Sequence, residues 1–338
     1  MSRAGLIYAA ILVVVAAAGA GFVLRAIGTR PVPTGAGSTP VRFAVQRGES
    51  FSSVARRLGE LDLVAHPGVL EIYAWVRGWD RKVKAGTYEI TRGQTPKDVM
   101  RKLVSGDVFR MAVTIPEGFM LTQIAAALAA AGVDSAAFAG LSTDEETRRR
   151  LGVAGPTLEG YLFPDTYLIP IGMTPAEAAE MMRTRLDEVM DEKVARRLEE
   201  ISMTRNEALT LASIVQAEAR LAEEMALVSA VYHNRLRSGV KLEADPTVAY
   251  AMGGYKGRLY YKDLDIDSPY NTYRYAGLPP GPICAPGEAS IEAALYPDAA
   301  CKAVYFVAKG DGGHIFSLTL EQHLAAVASV KRLRGESD

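Results

Sequence analysis

Cysteine is nearly missing from this chain, which holds only Cys284 and Cys301 among 338 residues, together with four histidines. No Cys or His pair has metal-site spacing, so the sequence offers no zinc centre. Outside a reducing compartment the two thiols are free to pair or to stay as buried cysteines, since separation along the chain does not establish bridge geometry. An excess of either charge is lacking too. Lys+Arg number 38 against Asp+Glu 39, a formal net charge of -1, and no basic block occurs, which argues against nucleic acid as the main partner. No nucleotide-binding or metal motif is present, so no cofactor is implied. With 49% hydrophobic and 23% charged residues, the chain can still build a sizeable core.

Long apolar runs are also scarce, with one exception. Ala4 to Leu24 is free of charge over 21 positions, between Arg3 and Arg25. That length suits the roughly 20 residues of a membrane-spanning helix, whereas the apolar part of a secretory signal is usually about 7–15 residues. The run therefore reads as an uncleaved signal anchor. The small residues at Ala16-Ala17-Ala18 and Ala20 would permit cleavage if it were instead a signal peptide. Arginines on both sides leave the orientation undecided. Thr29 to Pro40, with Pro31, Pro33, Gly35 and Gly37, has the composition of an extended tether.

A pattern then repeats three times. Val45-x-Arg47-Gly48 precedes Val54 and Leu58; Ile90-x-Arg92-Gly93 precedes Val99 and Leu103; Ile115-x-Glu117-Gly118 precedes Ile124 and Leu128. Each unit reads as strand, glycine turn and helix, and Ser50 and Thr95 are natural helix caps. The first unit, Phe43 to Leu58, resembles the opening of a LysM module, a glycan-binding fold. A purely structural strand-turn-helix stays open, because likeness of fold does not establish a site. The expected fold class is α+β: an anchor within 1–28, a linker over 29–41, a small LysM-like module over 42–110, and a larger mixed α+β catalytic domain over 111–338. Pro175 to Glu200 reads as a long charged helix over a core stripe. Ala303 to Ala308 reads as a buried strand and Leu320 to Leu333 as a closing helix.

The first chemical signal lies on a helix that opens with the capping box Thr204-x-x-Glu207 and is expected to run to about Arg220. At 100° per residue, Glu218 shares a stripe with Leu211, Ile214 and Val215, while Gln216 and Arg220 point away from it. A carboxyl group on a core-facing stripe loses hydration, and its pKa rises. A general acid near neutral pH needs that shift, although a buried Glu bonded to backbone or Arg would look the same in sequence. Downstream, Asp245-Pro246-Thr247, Tyr270-Asn271-Thr272-Tyr273, Gly277-Leu278-Pro279-Pro280-Gly281 and Gly313-His314-Ile315-Phe316-Ser317 concentrate amide, hydroxyl and aromatic groups on rigid turns. Such groups suit a neutral sugar. Tyr270, Asn271, Thr272, His314, Asp245, Phe316 and Ser317 are the candidate substrate-binding residues.

These motifs, with Leu211 to Glu218, Asn234-Arg-Leu236, Tyr305-Phe-Val307 and Glu159-Gly-Tyr-Leu-Phe-Pro-Asp165, resemble the ordered series of the MltG (YceG-like) endolytic murein transglycosylases. The likeness covers roughly residues 42–333. It implies a single N-terminal anchor in the cytoplasmic membrane, a catalytic domain outside that membrane, peptidoglycan glycan strands as substrate, and association with wall-synthesis machinery; a tether that confines the enzyme to glycan near the membrane makes nascent strands the expected substrate. It also implies cleavage of the MurNAc–GlcNAc β-1,4 bond with closure of a 1,6-anhydro ring, Glu218 being the matching catalytic position. The family often carries glutamates at the positions of both Gln216 and Glu218; only the second is present here. Side-chain chemistry alone leaves two alternatives open. One is a hydrolase, with Asp245, Asp165 or Glu159 as second carboxylate. The other is a noncatalytic glycan-binding scaffold.

Overall fold

The computed structural model describes residues 39–254 and 259–334. The apolar run at 4–24 and nearly all of the linker lie outside the described residues. Among the described residues, no helix is long and apolar enough to cross a membrane. Among the described residues the architecture is mixed α+β with three two-stranded sheets, and the chain divides into two compact units. One comprises the residues up to Met111 together with Leu168–Gly172; the other holds Ala112–Tyr167 and the chain from Met173 onward.

The first unit runs β1 (Val41–Val45), α1 (Phe51–Glu60), α2 (Pro67–Arg77), β2 (Gly86–Ile90) and α3 (Pro96–Ser105). β1 and β2 pair antiparallel, with Phe43 opposite Tyr88. The repeat seen in sequence is physical. Gly48 and Gly93 turn the chain at φ 78° and 92°, conformations that favour glycine. Three residues later the helices start, with Ser50 and Thr95 accepting from the backbone N–H groups of Ser53 and Asp98. The four-residue apolar spacing then puts Val54, Leu58, Val99 and Leu103 into one core with Phe43, Leu70, Tyr88 and Ile90. β3 (Arg110–Thr114) opens the third repeat and pairs with β4 (Thr166–Pro170); the division between the units falls within both strands.

The second unit is mainly helical. After β3 come α4 (Leu121–Ala129), α5 (Ser135–Leu141) and α6 (Glu145–Arg150). The expected single helix over 175–200 is two, α7 (Pro175–Val189) and α8 (Glu192–Glu200). Asp191 breaks it, because its carboxylate accepts from the N–H groups of Lys193 and Val194 and so starts a new helix. α9 (Arg205–Glu218) follows, with the Thr204/Glu207 capping box formed, then α10 (Met225–Arg237), α11 (Asp245–Ala251) and α12 (Glu288–Leu295). Every residue from Ala208 to Val215 is buried, since α9 packs against α10, α11 and α12. The hairpin of β5 (Tyr305–Ala308) and β6 (His314–Ser317) and the final α13 (Leu320–Arg334) complete the unit. Cys284 and Cys301 are free thiols; burial pushes the Cys284 thiol well above its ordinary range.

Candidate active site

Glu218 is the last residue of α9, two residues short of the end expected from sequence, because Ala219 turns extended at φ -85° and ψ 118°. The helix is pinned just before it. Ser213 Oγ accepts from the Ile283 N–H at 3.0 Å and the Cys284 thiol donates to the Ser213 carbonyl at 3.3 Å, which fastens the Pro/Gly-rich segment to the helix. Gln216, on another face of the helix, is half-buried. Its Oε1 accepts from the Gly287 N–H at 3.0 Å, at the start of α12. α9 is enclosed from Ala208 to Val215 and opens at its last turn, where Ala217 and Glu218 face the cleft.

The carboxyl group of Glu218 opens onto a cleft of about 1160 Å³. From the start of α4 the lining takes Met120, Thr122 and Gln123; from α11 it takes Asp245, Pro246, Ala249 and Tyr250; His314 closes it from β6. Burial is the main cause that raises the Glu218 pKa to about 7, the Asp245 carboxylate raises it further, and a hydrogen bond from Tyr232 partly offsets both. The Tyr232 hydroxyl donates to Glu218 Oε1 at 2.9 Å. The carbonyl end of α9 opposes a negative charge in the same sense. The site therefore presents a carboxylic acid that holds its proton to neutrality and can release it to a bound oxygen.

Of the residues expected from sequence, Glu218, Asp245 and His314 meet in this cleft. His314 Nδ1 lies 2.7 Å from Glu224 Oε2, and its backbone N–H donates to Oε1 of the same carboxylate at 3.1 Å. The remaining candidates do not line the cleft. Asn271 is wholly buried: its amide donates to the Leu264 and Ile266 carbonyls, both at 2.8 Å, and its Oδ1 accepts from the Tyr273 N–H at 2.9 Å. That commits the side chain to the loop itself. Thr272 Oγ1 accepts from the Ala244 N–H at 2.9 Å, and Tyr273 donates to Asp245 Oδ1 at 2.6 Å. The Asn-Thr-Tyr motif thus sets the start of α11 and aims Asp245. Tyr270 packs on Tyr250, centroids 4.8 Å apart. Phe316 packs against Phe306 and His314, and Ser317 is a buried residue of β6 opposite Tyr305.

Two other carboxylates take different parts. Asp165 is held below its ordinary range by Arg185, whose Nε donates to it at 2.7 Å, and it does not line the cleft. Glu159 is 4% exposed. Burial raises its pKa to about 8, against hydrogen bonds from the Leu121 N–H and the Tyr250 hydroxyl, so it supports the cleft wall from behind as a neutral acid. Tyr232, Glu224 and Tyr250 carry no signature that sequence could reveal. Tyr232 lies 14 positions and Glu224 90 positions from their partners, and only packing brings them together.

Comparisons agree with this architecture. The YceG-like family model matches residues 43–329. A Bacillus subtilis (strain 168) protein described as an endolytic murein transglycosylase is 33% identical over 303 residues, covering 84% of this chain and 83% of that protein. A protein of the same description from Streptococcus pneumoniae serotype 2 (strain D39) is 27% identical over 82% of this chain, but the match spans 55% of that longer protein. The crystal structure of a yceG-like protein from Listeria monocytogenes aligns with TM-score 0.59 and 31% identity, covering 86% of this chain and 99% of its own. The family match spans both units and every residue that builds the cleft, and this chain belongs to the YceG-like family.

Proposed function

We propose that the chain is an endolytic lytic transglycosylase of peptidoglycan, with Glu218 as its single catalytic acid and base. The observation that carries this reading is one carboxyl group, set in the wall of a large cleft, whose pKa stands near 7. Protonated Glu218 donates to the glycosidic oxygen between MurNAc and GlcNAc as the bond to MurNAc C1 breaks. The MurNAc C6 hydroxyl oxygen then bonds to C1, and its proton returns to the Glu218 carboxylate. One ring closes, one GlcNAc hydroxyl is released, and no water is consumed. His314, fixed by Glu224, and Asp245, fixed by Tyr273, present polar groups that orient the sugar.

A hydrolase is the second reading, because Asp245 shares the cleft with Glu218 and hydrolysis commonly uses two carboxylates. Mass spectrometry of a digest of uncross-linked glycan separates the two. Anhydro ends, lost by about 10²–10⁴-fold in Glu218→Gln, support the transglycosylase; reducing ends alone reject it. A folded Glu218→Gln chain that cleaves like the wild type would remove Glu218 from the chemistry, whereas a wild type that cleaves no glycan, with Glu218→Gln keeping its role in cells, would leave a scaffold.

The arrangement β1, α1, α2, β2 with an antiparallel strand pair supports a LysM-like reading of the first unit. The run from Ala4 to Leu24 supports a single-pass anchor in the cytoplasmic membrane, with the enzyme outside it. Such an anchor would confine cutting to nascent strands near the bilayer, beside the synthases that extrude them, where a cut ends elongation.

A further inference from the structure

Helix α2 buries Leu70, Tyr73 and Ala74 and leaves its other face bare. On that face Ile72, Trp75 and Val76 stand at i, i+3 and i+4 and are 53%, 73% and 57% exposed. A tryptophan so open, flanked by two branched aliphatic residues on one helix face, is an apolar patch that a soluble surface rarely carries without use. The chain segment that carries it is cationic. Across residues 71–84 the chain holds Arg77, Arg81, Lys82 and Lys84 against Glu71 and Asp80; Arg77, Arg81 and Lys82 are exposed. The Arg77 guanidinium is braced over the Tyr73 and Trp79 rings, 5.4 and 5.8 Å from their centroids.

We propose that this face of α2 rests in the headgroup layer of an anionic bilayer, Trp75 and Ile72 entering the acyl boundary while the basic end of the helix meets lipid phosphates. An apolar helical face with a basic border is the arrangement that lies in a membrane interface, and tryptophan favours that depth. Charge selects the occupant, since anionic headgroups attract such clusters and a neutral sugar does not. The inference rests on the proposed anchor. Arg25 and Val41 are 16 positions apart, a reach of at most about 53–58 Å, and β1 begins the unit that contains α2. Three side chains are too few to hold a free protein on a bilayer. A tether of this length supplies an effective concentration of about millimolar, at which a weak contact is occupied. The contact would hold the first unit against the membrane.

The test uses the full chain in nanodiscs of phosphatidylethanolamine and phosphatidylglycerol. The chain has two tryptophans, so Trp79→Phe leaves Trp75 as the sole emitter, and the unsubstituted chain controls for folding. Expected are a blue-shifted Trp75 emission and loss of at least half its intensity with lipids brominated near the headgroup, both reversed by Ile72→Ser with Val76→Ser. Trp75 emission unaffected by brominated lipid, or shielded from acrylamide by glycan strands and not by bilayer, overturns the proposal. Alkaline extraction separately reads the anchor. A chain that washes off overturns the anchor and with it the tethered contact, whereas a chain that stays while its Trp75 emission is unchanged by the bilayer overturns the contact alone.

Discussion

Glu218 is tuned by two neighbours that act in opposite senses, and that makes its assignment testable by sign. The Tyr232 hydroxyl stabilises the carboxylate and Asp245 repels it. Tyr232→Phe should move the alkaline limb of the pH–rate profile, near about 7 in the wild type, to higher pH. Asp245→Asn should move it lower. A shift in the same direction for both would disconnect Glu218 from that limb. Stability follows a related logic. Glu159 and Glu218 have folded pKa values of about 8 and about 7, above the ordinary 4.5, so the folded state holds more protons between those limits. Their contribution is fully present below about pH 4.5 and is lost as pH rises toward 7–8. Glu159→Gln removes one such group. Its melting midpoint relative to wild type should therefore rise from pH 5 to pH 8, and a constant offset would mean that Glu159 is ionised when folded.

At the scale of elements, the site depends on a helix end and on the segments stapled to it. Thr204→Ala removes the capping box of α9 and should cost about 1 kcal/mol in denaturant unfolding, with cleavage little changed. Gly160→Ala should be far more damaging. Its φ is 72°, and an added Cβ would stand 2.2 Å from Pro282 Cβ and 3.0 Å from the Cys284 carbonyl; strain and overlap together predict a loss of about 2–4 kcal/mol. Arg235 ties α10 to β5 and to the approach to Asp245, donating to the carbonyls of Val304, Lys241 and Leu242. The strand-glycine-helix repeat was legible in sequence down to its caps because each unit is a local device, a few residues long. The end of α9 was not. Its periodicity marks a single buried stripe, whereas the surrounding helices bury every residue from Ala208 to Val215 and leave Ala217 and Glu218 open to the cleft, an arrangement set by packing and not by spacing.

For the whole molecule, the two units have separate cores, and every residue lining the cleft lies in the second. A chain begun at residue 39 should therefore keep its cleavage of soluble uncross-linked glycan, read by the same anhydro products, while failing to restore wall morphology in cells that lack the full chain. Loss of cleavage in solution on removing residues 1–38 would make the N-terminal segment part of the catalyst.

Sequence by itself determined the local devices: the glycine turns, the caps, the apolar spacing of the first core, the charge-free run at Ala4 to Leu24, and the identity of one acidic residue among apolar neighbours. Each depends on residues a few positions apart, where backbone geometry alone sets the outcome. Only the tertiary structure decided what the polar motifs do. Asn271 and Thr272 read as sugar ligands in one dimension, yet their hydrogen-bonding groups are consumed by the backbone of Leu264, Ile266, Tyr273 and Ala244, and their service to the site is to aim Asp245. A buried polar group must find partners wherever the fold supplies them. Those partners, like Tyr232 for Glu218 and Glu224 for His314, come from elements whose adjacency no local pattern encodes.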